Sequence, residues 1–383
     1  MVRIEDKSRC SGCSACMSIC PRGAIAMVPD AVGFRYPQVN EESCVDCGLC
    51  EAVCPFVKTT HDSVEPRRCL AMRNKDAESM MSSRSGAVFP ELASWIIKGG
   101  GTVYGAGYDE EFAVVHKRAE NISSCQEFRG SKYVQSELDD TFRQVHEDLR
   151  SGKAVLFTGT PCQCAGLKAY IPKGMKDRLY LVDLVCHGVP SPNVWKDNLK
   201  FQRNRLNSPM IRVSFRDKKL FGWSDHKESY YSASETLTDD RFTDLFFLNV
   251  ITRDSCHACP YASTSRVSDI TLADFWGWQK VLPGFNADNK GASLVLINSD
   301  KGEVLLNDIL EHFESHAVSL AECLQPNLQM PSAPSPDRDR ALKAYQNKGF
   351  HYLVNHYGSR SLKNRIKSIY LRLRKFIRRL LGL

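Results

Sequence analysis

From Cys69 onward, hydrophobic and polar positions follow two alternating periods. Short apolar runs rich in β-branched residues predict strands at 102–108, 112–119, 153–159, 179–185, 268–277 and 291–299. Apolar residues recur at helical spacing in 87–98, 138–152 and 194–206. Because the strands are interleaved with helices, the pattern predicts an α/β domain built on a mixed sheet.

The C-terminal residues 359–383 show one apolar stripe on an otherwise basic segment. Its members recur at gaps of three and four, namely Leu362, Ile366, Ile369, Leu373, Phe376, Ile377 and Leu380. This spacing predicts a C-terminal amphipathic helix. A basic amphipathic helix can lie on an anionic membrane surface, which makes 359–383 a candidate for peripheral membrane contact. A helix that docks on a partner protein and one that packs on the body of the chain are the alternatives.

The same tail carries the excess of positive charge. The chain has a net charge of +7, and nine of its 51 Lys and Arg residues lie in 359–383 with no acid among them. The remaining 42 basic side chains face 44 acidic ones. A nearly neutral body argues against nucleic acid as a partner.

Length and cysteine content define the class of protein. The 383 residues begin with the charged segment MVRIEDK, which is unlike a signal peptide, and no apolar run of roughly 18 residues predicts a spanning helix. Sixteen cysteines in such a chain indicate reduced thiols that bind metal or take part in catalysis. We therefore predict a cytoplasmic protein, with the inner membrane surface as its candidate peripheral site.

The first 58 residues contain a repeated cysteine motif. The spacing C-x2-C-x2-C-x3-C-P occurs twice, offset by 34 residues, and involves Cys10, Cys13, Cys16, Cys20, Cys44, Cys47, Cys50 and Cys54. It is the ligand pattern of two-cluster 4Fe-4S ferredoxins, in which the fourth cysteine of each motif binds the other cluster. We assign Cys10, Cys13, Cys16 and Cys54 to a first cluster. Cys44, Cys47, Cys50 and Cys20 then hold a second, and zinc in place of the clusters is the weaker alternative.

These patterns divide the chain into five parts. An α+β ferredoxin domain spans 1–58, a polar linker 59–68, an α/β flavin and Fe-S domain 69–335, a connector 336–358 and the basic amphipathic helix 359–383. The chemistry expected of the long central part rests on a resemblance, because its motifs are less specific than the cysteine repeat.

Six stretches of the central part carry that resemblance. They read SSRSGAVF (82–89), GSKYVQS (130–136), GTPCQCAGLK (159–168), VDLVCHGVPSP (182–192), CHAC (256–259) and SDITLADFWG (268–277). In this order they resemble the coenzyme F₄₂₀ hydrogenase/dehydrogenase beta-subunit family. The resemblance implies a flavin, expected to be FAD, an additional 4Fe-4S cluster, and in some relatives a link to surface-polysaccharide biosynthesis.

Three short segments are the candidates for flavin binding. Small residues precede a helical pattern in two of them, Ser82, Ser83, Ser85 and Gly86 in the first and Thr158, Gly159 and Thr160 in the second. In the third, Ser131, Lys132 and Tyr133 would place a positive charge beside the flavin or its phosphates. An ordinary helix start is the alternative for each loop. The family's first loop usually reads Ser-Gly-Gly, whereas Ala87 follows Gly86 here.

Four further cysteines are candidates for a third 4Fe-4S cluster. Cys162 and Cys186 each follow a predicted strand, and Cys256 and Cys259 form a close pair. Zinc and buried thiols without a ligand are the alternatives. His187 follows Cys186 directly and is the candidate catalytic proton donor, with a structural role as its alternative.

Together these features predict an iron–sulfur flavoprotein oxidoreductase. Electrons from a ferredoxin or redox partner protein would pass through the clusters to the flavin, and then to an organic substrate or deazaflavin. The alternative is an electron-transfer subunit of a hydrogenase or dehydrogenase complex that has no substrate of its own. A scaffold protein whose clusters serve only structure is the third hypothesis.

Overall fold

The computed structural model describes residues 1–57 and 64–359. The predicted amphipathic helix at 359–383 lies outside the described residues except for Ser359, as does most of the linker predicted at 59–68. No helix among the described residues is long and apolar enough to span a membrane.

The described residues form thirteen strands and twelve α-helices. The strands are β1 Ile25–Pro29, β2 Arg35–Val39, β3 Arg68–Asn74, β4 Thr102–Tyr108, β5 Val114–Ala119, β6 Val155–Gly159, β7 Leu179–Leu184, β8 Met210–Ser214, β9 Glu228–Ser232, β10 Thr236–Asp239, β11 Ile270–Asp274, β12 Ser293–Ile297 and β13 Phe313–Val318. The helices are α1 Ala15–Ile19, α2 Leu49–Ala52, α3 Ala77–Ser82, α4 Val88–Lys98, α5 Thr141–Arg150, α6 Pro161–Tyr170, α7 Pro192–Arg203, α8 Lys218–Phe221, α9 Arg241–Phe247, α10 Trp278–Val281, α11 Asp300–Ile309 and α12 Arg338–Tyr357.

An eight-stranded sheet organises the central part, in the order β13-β3-β12-β11-β7-β6-β4-β5. The four strands β11, β7, β6 and β4 run parallel, and antiparallel strands flank them on both sides. The mixed sheet predicted from the sequence is therefore confirmed, and all six predicted strands belong to it. Since the carboxyl ends of β6 and β7 lie side by side, residues that follow these two strands meet at one edge.

Helices cover both faces of this sheet. Helices α4 and α11 pack on one face through Leu92, Ile96, Leu305 and Leu306. Helices α5 and α6 cover the other face around Phe142, Val145 and Leu167. The alternation of buried strands with amphipathic helices thus produces the layers that the pattern predicts.

The N-terminal part is a small α+β unit whose hairpin β1–β2 and short helices carry the cysteine motifs. It shares its packing with the central part. Val32 and Phe34 pack in one cluster with Trp195 and Phe242. Cys13, Ala15 and Val53 pack in another with Phe142. The ferredoxin unit is thereby fixed against the sheet-bearing part by buried apolar contacts.

Two elements were not predicted from the sequence. Strands β8, β9 and β10 form a separate antiparallel sheet. Helix α12, which lies in the segment 336–358 predicted as a connector, breaks its helical conformation at Gly349, whose φ is +76°. Its Ala341, Leu353 and neighbours are buried against α7 and α9. The connector therefore contributes to the core.

Candidate functional site

The second cysteine group lies at the outer end of the ferredoxin unit. Cys20, Cys44, Cys47 and Cys50 line one cavity together with the backbone around Gly48. Backbone N–H groups of Val2 and Ala24 donate to the sulfurs of Cys50 and Cys20, each at 3.3 Å. Hydrogen bonds to sulfur stabilise thiolate ligands of Fe–S clusters, so this pocket fits a 4Fe-4S cluster. The side chain of Cys47 is exposed, which opens this end to the surface.

The first cysteine group lies deeper. Burial, followed by the neighbouring thiols of Cys10 and Cys54, raises the pKa of Cys16 to about 12. The pKa of Cys13 is raised for the same reasons, with Cys16, Cys10 and Cys54 as its neighbours. Thiols crowded in this way become thiolates when a metal cluster supplies the compensating positive charge. Cys50 of the second group also acts on Cys16, so the two groups adjoin.

The fold brings the four cysteines of the third group together. Cys162 lies in the first turn of α6 after strand β6, and Cys186 follows the adjacent parallel strand β7. Cys256 lies in a 3-10 helix over Asp254–Ala258, and Cys259 follows that helix. The thiols of Cys256, Cys162 and Cys259 all add to the effect of burial in raising the pKa of Cys186. The sheet edge thus collects the four thiols that the sequence assigned to a third cluster.

Local contacts keep this third group in place. The N–H of Val189 donates to the sulfur of Cys256 at 3.4 Å, and the Thr160 hydroxyl lies 3.2 Å from the sulfur of Cys162. Gly188, at φ +140°, brings the backbone against Cys256, since a Cβ there would lie 3.6 Å from the sulfur. Buried, converging thiols with N–H donors fit a 4Fe-4S cluster. Among the residues with described coordinates, no three His, Cys, Asp or Glu side chains surround a single-ion position.

A buried ion pair joins the two halves of the third group. Arg266 donates to Asp183 at the end of β7 at 2.8 Å, and both side chains are fully buried. The same guanidinium donates to the carbonyls of Tyr261 and Ser263, which follow Cys259. The strand that leads to Cys186 is thereby linked to the loop that carries Cys256 and Cys259.

The first and third groups are neighbours. Gly166 of α6 packs against Cys13, where an added Cβ would lie 2.7 Å from the sulfur. Burial raises the pKa of Tyr261, and Cys162, Cys13 and Cys259 add to the effect. Tyr261 therefore lies between thiols of both groups. The three groups follow one another from the exposed second group through the first to the third.

Sequence reasoning missed four residues at this junction: Gly166, Gln135, Arg253 and Tyr261. The side chain of Arg253 is fully buried, and one of its N–H groups lies 3.8 Å from the sulfur of Cys10. An arginine three residues before Cys256 was a visible signal, but nothing in the sequence indicates that it reaches the ferredoxin unit.

His187 lies beside the third group with both ring nitrogens engaged. Its Nε2 is 2.8 Å from the Asn249 side-chain oxygen, and its Nδ1 is 3.1 Å from the Ser332 hydroxyl. Burial lowers its pKa, which favours the neutral ring. The ring also packs edge-on against Phe246. These contacts suit the structural role that the sequence left open, and the role of proton donor stays a prediction.

The segments predicted to bind flavin border one region. Arg129 donates to the Ser82 hydroxyl at 2.6 Å, and Lys132 donates to the Arg129 carbonyl at 3.1 Å. Burial lowers the pKa of His116 to about 4, and Lys132 lowers it further, while Nε2 of His116 lies 3.0 Å from the Thr158 carbonyl. Ser131 precedes Lys132, and the Tyr133 ring packs on Phe215 and Phe246. The segments at Ser82, Lys132 and Thr158 are thus connected through Arg129 and His116.

Several of these flavin candidates have partners within the fold. The Ser85 hydroxyl donates to the Ala292 carbonyl, and the Gly86 N–H donates to the Ser293 hydroxyl. A Cβ at Gly86 would lie 2.1 Å from the Met72 carbonyl, so glycine is needed here for strand packing.

The second loop is also internally bonded. Thr158 donates to the Tyr104 carbonyl. The helix start at Thr160 is capped by Gln163, which also lies against Gly159. Ser83, by contrast, has a buried hydroxyl that bonds to no other described residue.

Comparison with known proteins gives two family matches. The family model for the C terminus of the coenzyme F₄₂₀ hydrogenase/dehydrogenase beta subunit matches residues 152–321. The model for a 4Fe-4S dicluster domain matches residues 9–57. The first region holds Cys162, Cys186, Cys256 and Cys259, and the second holds all eight cysteines of the repeat.

Individual relatives agree with the N-terminal match. An uncharacterized ferredoxin of Methanocaldococcus jannaschii is 31% identical over 72 residues, which are 19% of this chain and 92% of that protein. An uncharacterized polyferredoxin-like protein of the same organism is 37% identical over 68 residues, which are 15% of this chain and 40% of that protein.

One solved structure is also similar. It is a chain of the F₄₂₀-reducing NiFe hydrogenase complex from Methanosarcina barkeri, with 18% identity and a TM-score of 0.47. The similarity covers 76% of this chain and 90% of that chain.

The protein is an iron–sulfur protein of the electron-transfer, oxidoreductase type, since cluster-binding and oxidoreductase family matches fall on adjoining parts of one fold. The chain belongs to the coenzyme F₄₂₀ hydrogenase/dehydrogenase beta-subunit family and carries a 4Fe-4S dicluster domain at its N-terminal end.

Proposed function

We propose that the chain is an electron-transfer subunit that carries electrons between a redox partner protein and a carrier through three adjoining 4Fe-4S clusters. The observation that supports this most is the succession of the cysteine groups. Cys50 of the second group acts on Cys16 of the first, and Tyr261 lies between Cys13 of the first and Cys162 of the third. When bound, each cluster accepts and releases one electron at a time.

The protein's own residues give this path its direction in space. Cys47 is exposed, so a redox partner can approach the second group. Cys13 and Cys162 are buried, so water is excluded where the first and third groups meet. Gly166 holds the helix of Cys162 against Cys13. An exposed entrance and a dry interior are the arrangement that favours passage of electrons over their loss to solvent.

The experiment is to measure iron, zinc and flavin per chain after anaerobic purification of the wild type and of Cys186→Ser. We expect about twelve irons in the wild type, four for each cluster, and about eight in the variant. The matched control is Cys125→Ser, because Cys125 is also buried but lies in another part of the core, and it should keep the wild-type iron content. Equal iron in Cys186→Ser and wild type would exclude the third cluster, and zinc in place of iron would exclude the electron path.

A flavin-dependent reductase is the second candidate function, and two cations support it. Arg129 and Lys132 lie side by side next to Ser82, and neither makes an ion pair within the residues described. Loss of water around its ammonium lowers the pKa of Lys132 to about 7. Two uncompensated cations and the unpartnered Ser83 hydroxyl suit a phosphate or an anionic ring. In this candidate the flavin, expected to be FAD, would exchange electrons with an organic substrate or deazaflavin.

Titration of the anaerobic protein with FAD tests this second candidate. We expect Lys132→Met to weaken FAD binding by about tenfold or more, since it removes a charge-assisted hydrogen bond. Lys173→Met, on the surface in a short 3-10 helix, is the control and should leave binding unchanged. A wild type that binds no FAD would eliminate this candidate and leave the electron-transfer subunit. The link to polysaccharide biosynthesis stays a prediction from the resemblance alone.

A further inference from the structure

Arg253 stands out among the charged residues because it crosses from the central part into the ferredoxin unit. Its side chain is fully buried. Its backbone is fixed in the loop of the third group, since its carbonyl accepts from the N–H of Cys256 at 3.1 Å. Its guanidinium extends to the first group, where it donates to the Cys10 carbonyl at 2.9 Å and lies 3.8 Å from the Cys10 sulfur.

The surroundings of this guanidinium contain no acid partner. Its other hydrogen bonds go to the Gln135 side-chain oxygen at 2.8 Å and to the Arg35 carbonyl at 2.9 Å. The Tyr36 ring lies 4.2 Å away. Within residues 1–57 and 64–359, Arg253 makes no ion pair, although 27 other ion pairs are present. All these contacts are to neutral groups.

The nearest acids are already occupied. Asp30 and Asp254 act on neighbouring Tyr36, but Asp30 pairs with Lys7 at 2.6 Å and Asp254 pairs with Arg338 at 2.7 Å. A buried cation without a counter-ion is strongly unfavourable. The charge that balances Arg253 must therefore come from the cysteine groups, since a cluster held by four thiolates is anionic and gains a further negative charge when it is reduced.

The backbone of the first motif is shaped to receive the guanidinium. Gly12, between Cys10 and Cys13, has φ +69°, and a Cβ at this position would lie 3.1 Å from the Arg253 guanidinium and 2.8 Å from the Gln135 amide. Arg253 also lowers the pKa values of Cys162 and Cys256 against the larger effect of burial. Its positive charge therefore acts on thiols of the first and third groups at once.

We propose that Arg253 is a positioning residue of the electron path, whose fixed positive charge between the first and third cysteine groups stabilises the reduced form of the first cluster and so raises its reduction potential. This inference rests on the proposed electron-transfer function. Hydrogen bonds to cluster sulfurs and nearby charge are general determinants of cluster potential. Because Arg253 is anchored in the third-group loop, it also fixes the spacing of the two groups.

The test is a potentiometric titration of the anaerobically purified full chain, followed by EPR, with iron measured in each sample. The signal of the first cluster is identified as the one that Cys10→Ser alters. We expect Arg253→Gln to shift this potential below that of the wild type, and Arg253→Lys, which keeps the charge, to shift it less. Arg35→Gln is the control, because Arg35 also joins the two parts but pairs with Glu137 at 2.7 Å, and its potential should stay at the wild-type value.

A second variant decides the matter if Arg253→Gln fails to hold iron. Gln135→Glu places a carboxylate against the guanidinium and should lower the same potential while Arg253 is retained. An unchanged potential in iron-replete Arg253→Gln, or in Gln135→Glu when the first variant is lost, would overturn the inference. A wild type without redox-active clusters would instead refute the proposed function, so the two failures are distinguishable.

Discussion

The cysteines of the ferredoxin unit and those of the third group are brought together in different ways. In the first case each loop supplies three thiols within a few residues, as Cys44, Cys47 and Cys50 do. In the second, thiols come from the ends of two parallel strands and from a loop far along the chain. A locally encoded site needs only its loop, whereas an assembled site depends on the whole sheet. The third group should therefore be the first to fail when the fold is disturbed.

The largest effect is expected from breaking the buried pair that joins the halves of the third group. Arg266→Met leaves Asp183 charged, buried and unpaired, which typically costs about 3–5 kcal/mol. We expect loss of the third group's iron while the ferredoxin unit keeps its own, measured by iron content and by anaerobic denaturant unfolding. Asp300→Asn removes an exposed pair with Arg67 and should cost about 0–1 kcal/mol. Equal loss of iron from all three groups would refute the contrast between local and assembled sites.

The second effect is a pH dependence located away from both sites. Burial raises the pKa of Glu228 in β9 from 4.5 to about 7. The stability contributed by its protonated form is therefore fully present below pH 4.5 and is lost as the pH rises through about 7. This change amounts to about 3 kcal/mol. Glu228→Gln should flatten the melting temperature over this interval without changing iron content, and a wild-type pH profile in the variant would contradict the assignment.

The third effect tests the contact between the two regions. Gly166→Ala places a methyl group 2.7 Å from the Cys13 sulfur, and overpacking of this kind typically costs about 1–3 kcal/mol. We expect lower stability and weaker retention of the first group's iron, followed by iron assay during dilution under anaerobic conditions. Gly174→Ala is the matched control, because no atom lies within 4 Å of the added methyl group. Identical iron retention in the two variants would show that this contact does not constrain the first group.

The smallest effect concerns the loop in which Ala87 departs from the family pattern. Ala87 has φ +59°, a left-handed conformation that glycine adopts without strain. Ala87→Gly relieves this strain but gives up a buried methyl group, so stability should change by less than about 1 kcal/mol. At the preceding position, Gly86→Ala meets the Met72 carbonyl at 2.1 Å and should be far more destabilising. Thermal unfolding of both variants checks this order, and a larger loss in Ala87→Gly would contradict it.

The same contrast explains what could be predicted from the sequence. The ferredoxin ligands were readable because their spacing is local, and the strands of the main sheet were readable from their apolar runs. Strand β8 was missed because Ile211 and Arg212 on it are exposed, which leaves no buried alternation to detect. Helix α12 was missed because its pattern is interrupted at Gly349. The position of Arg253 follows from tertiary contacts with residues more than two hundred positions away, such as Cys10 and Arg35, which no local pattern encodes.

The most direct test of the central claim is the EPR spectrum of the fully reduced protein, compared between wild type and Cys186→Ser. If the first and third groups hold adjoining clusters, the wild type should give about three spins per chain, with lines broadened by magnetic coupling. The variant should then give about two spins per chain and lose that part of the broadening which the third cluster causes. Identical spectra and spin counts in the two proteins would contradict the claim that electrons pass from the ferredoxin unit into the sheet-bearing part.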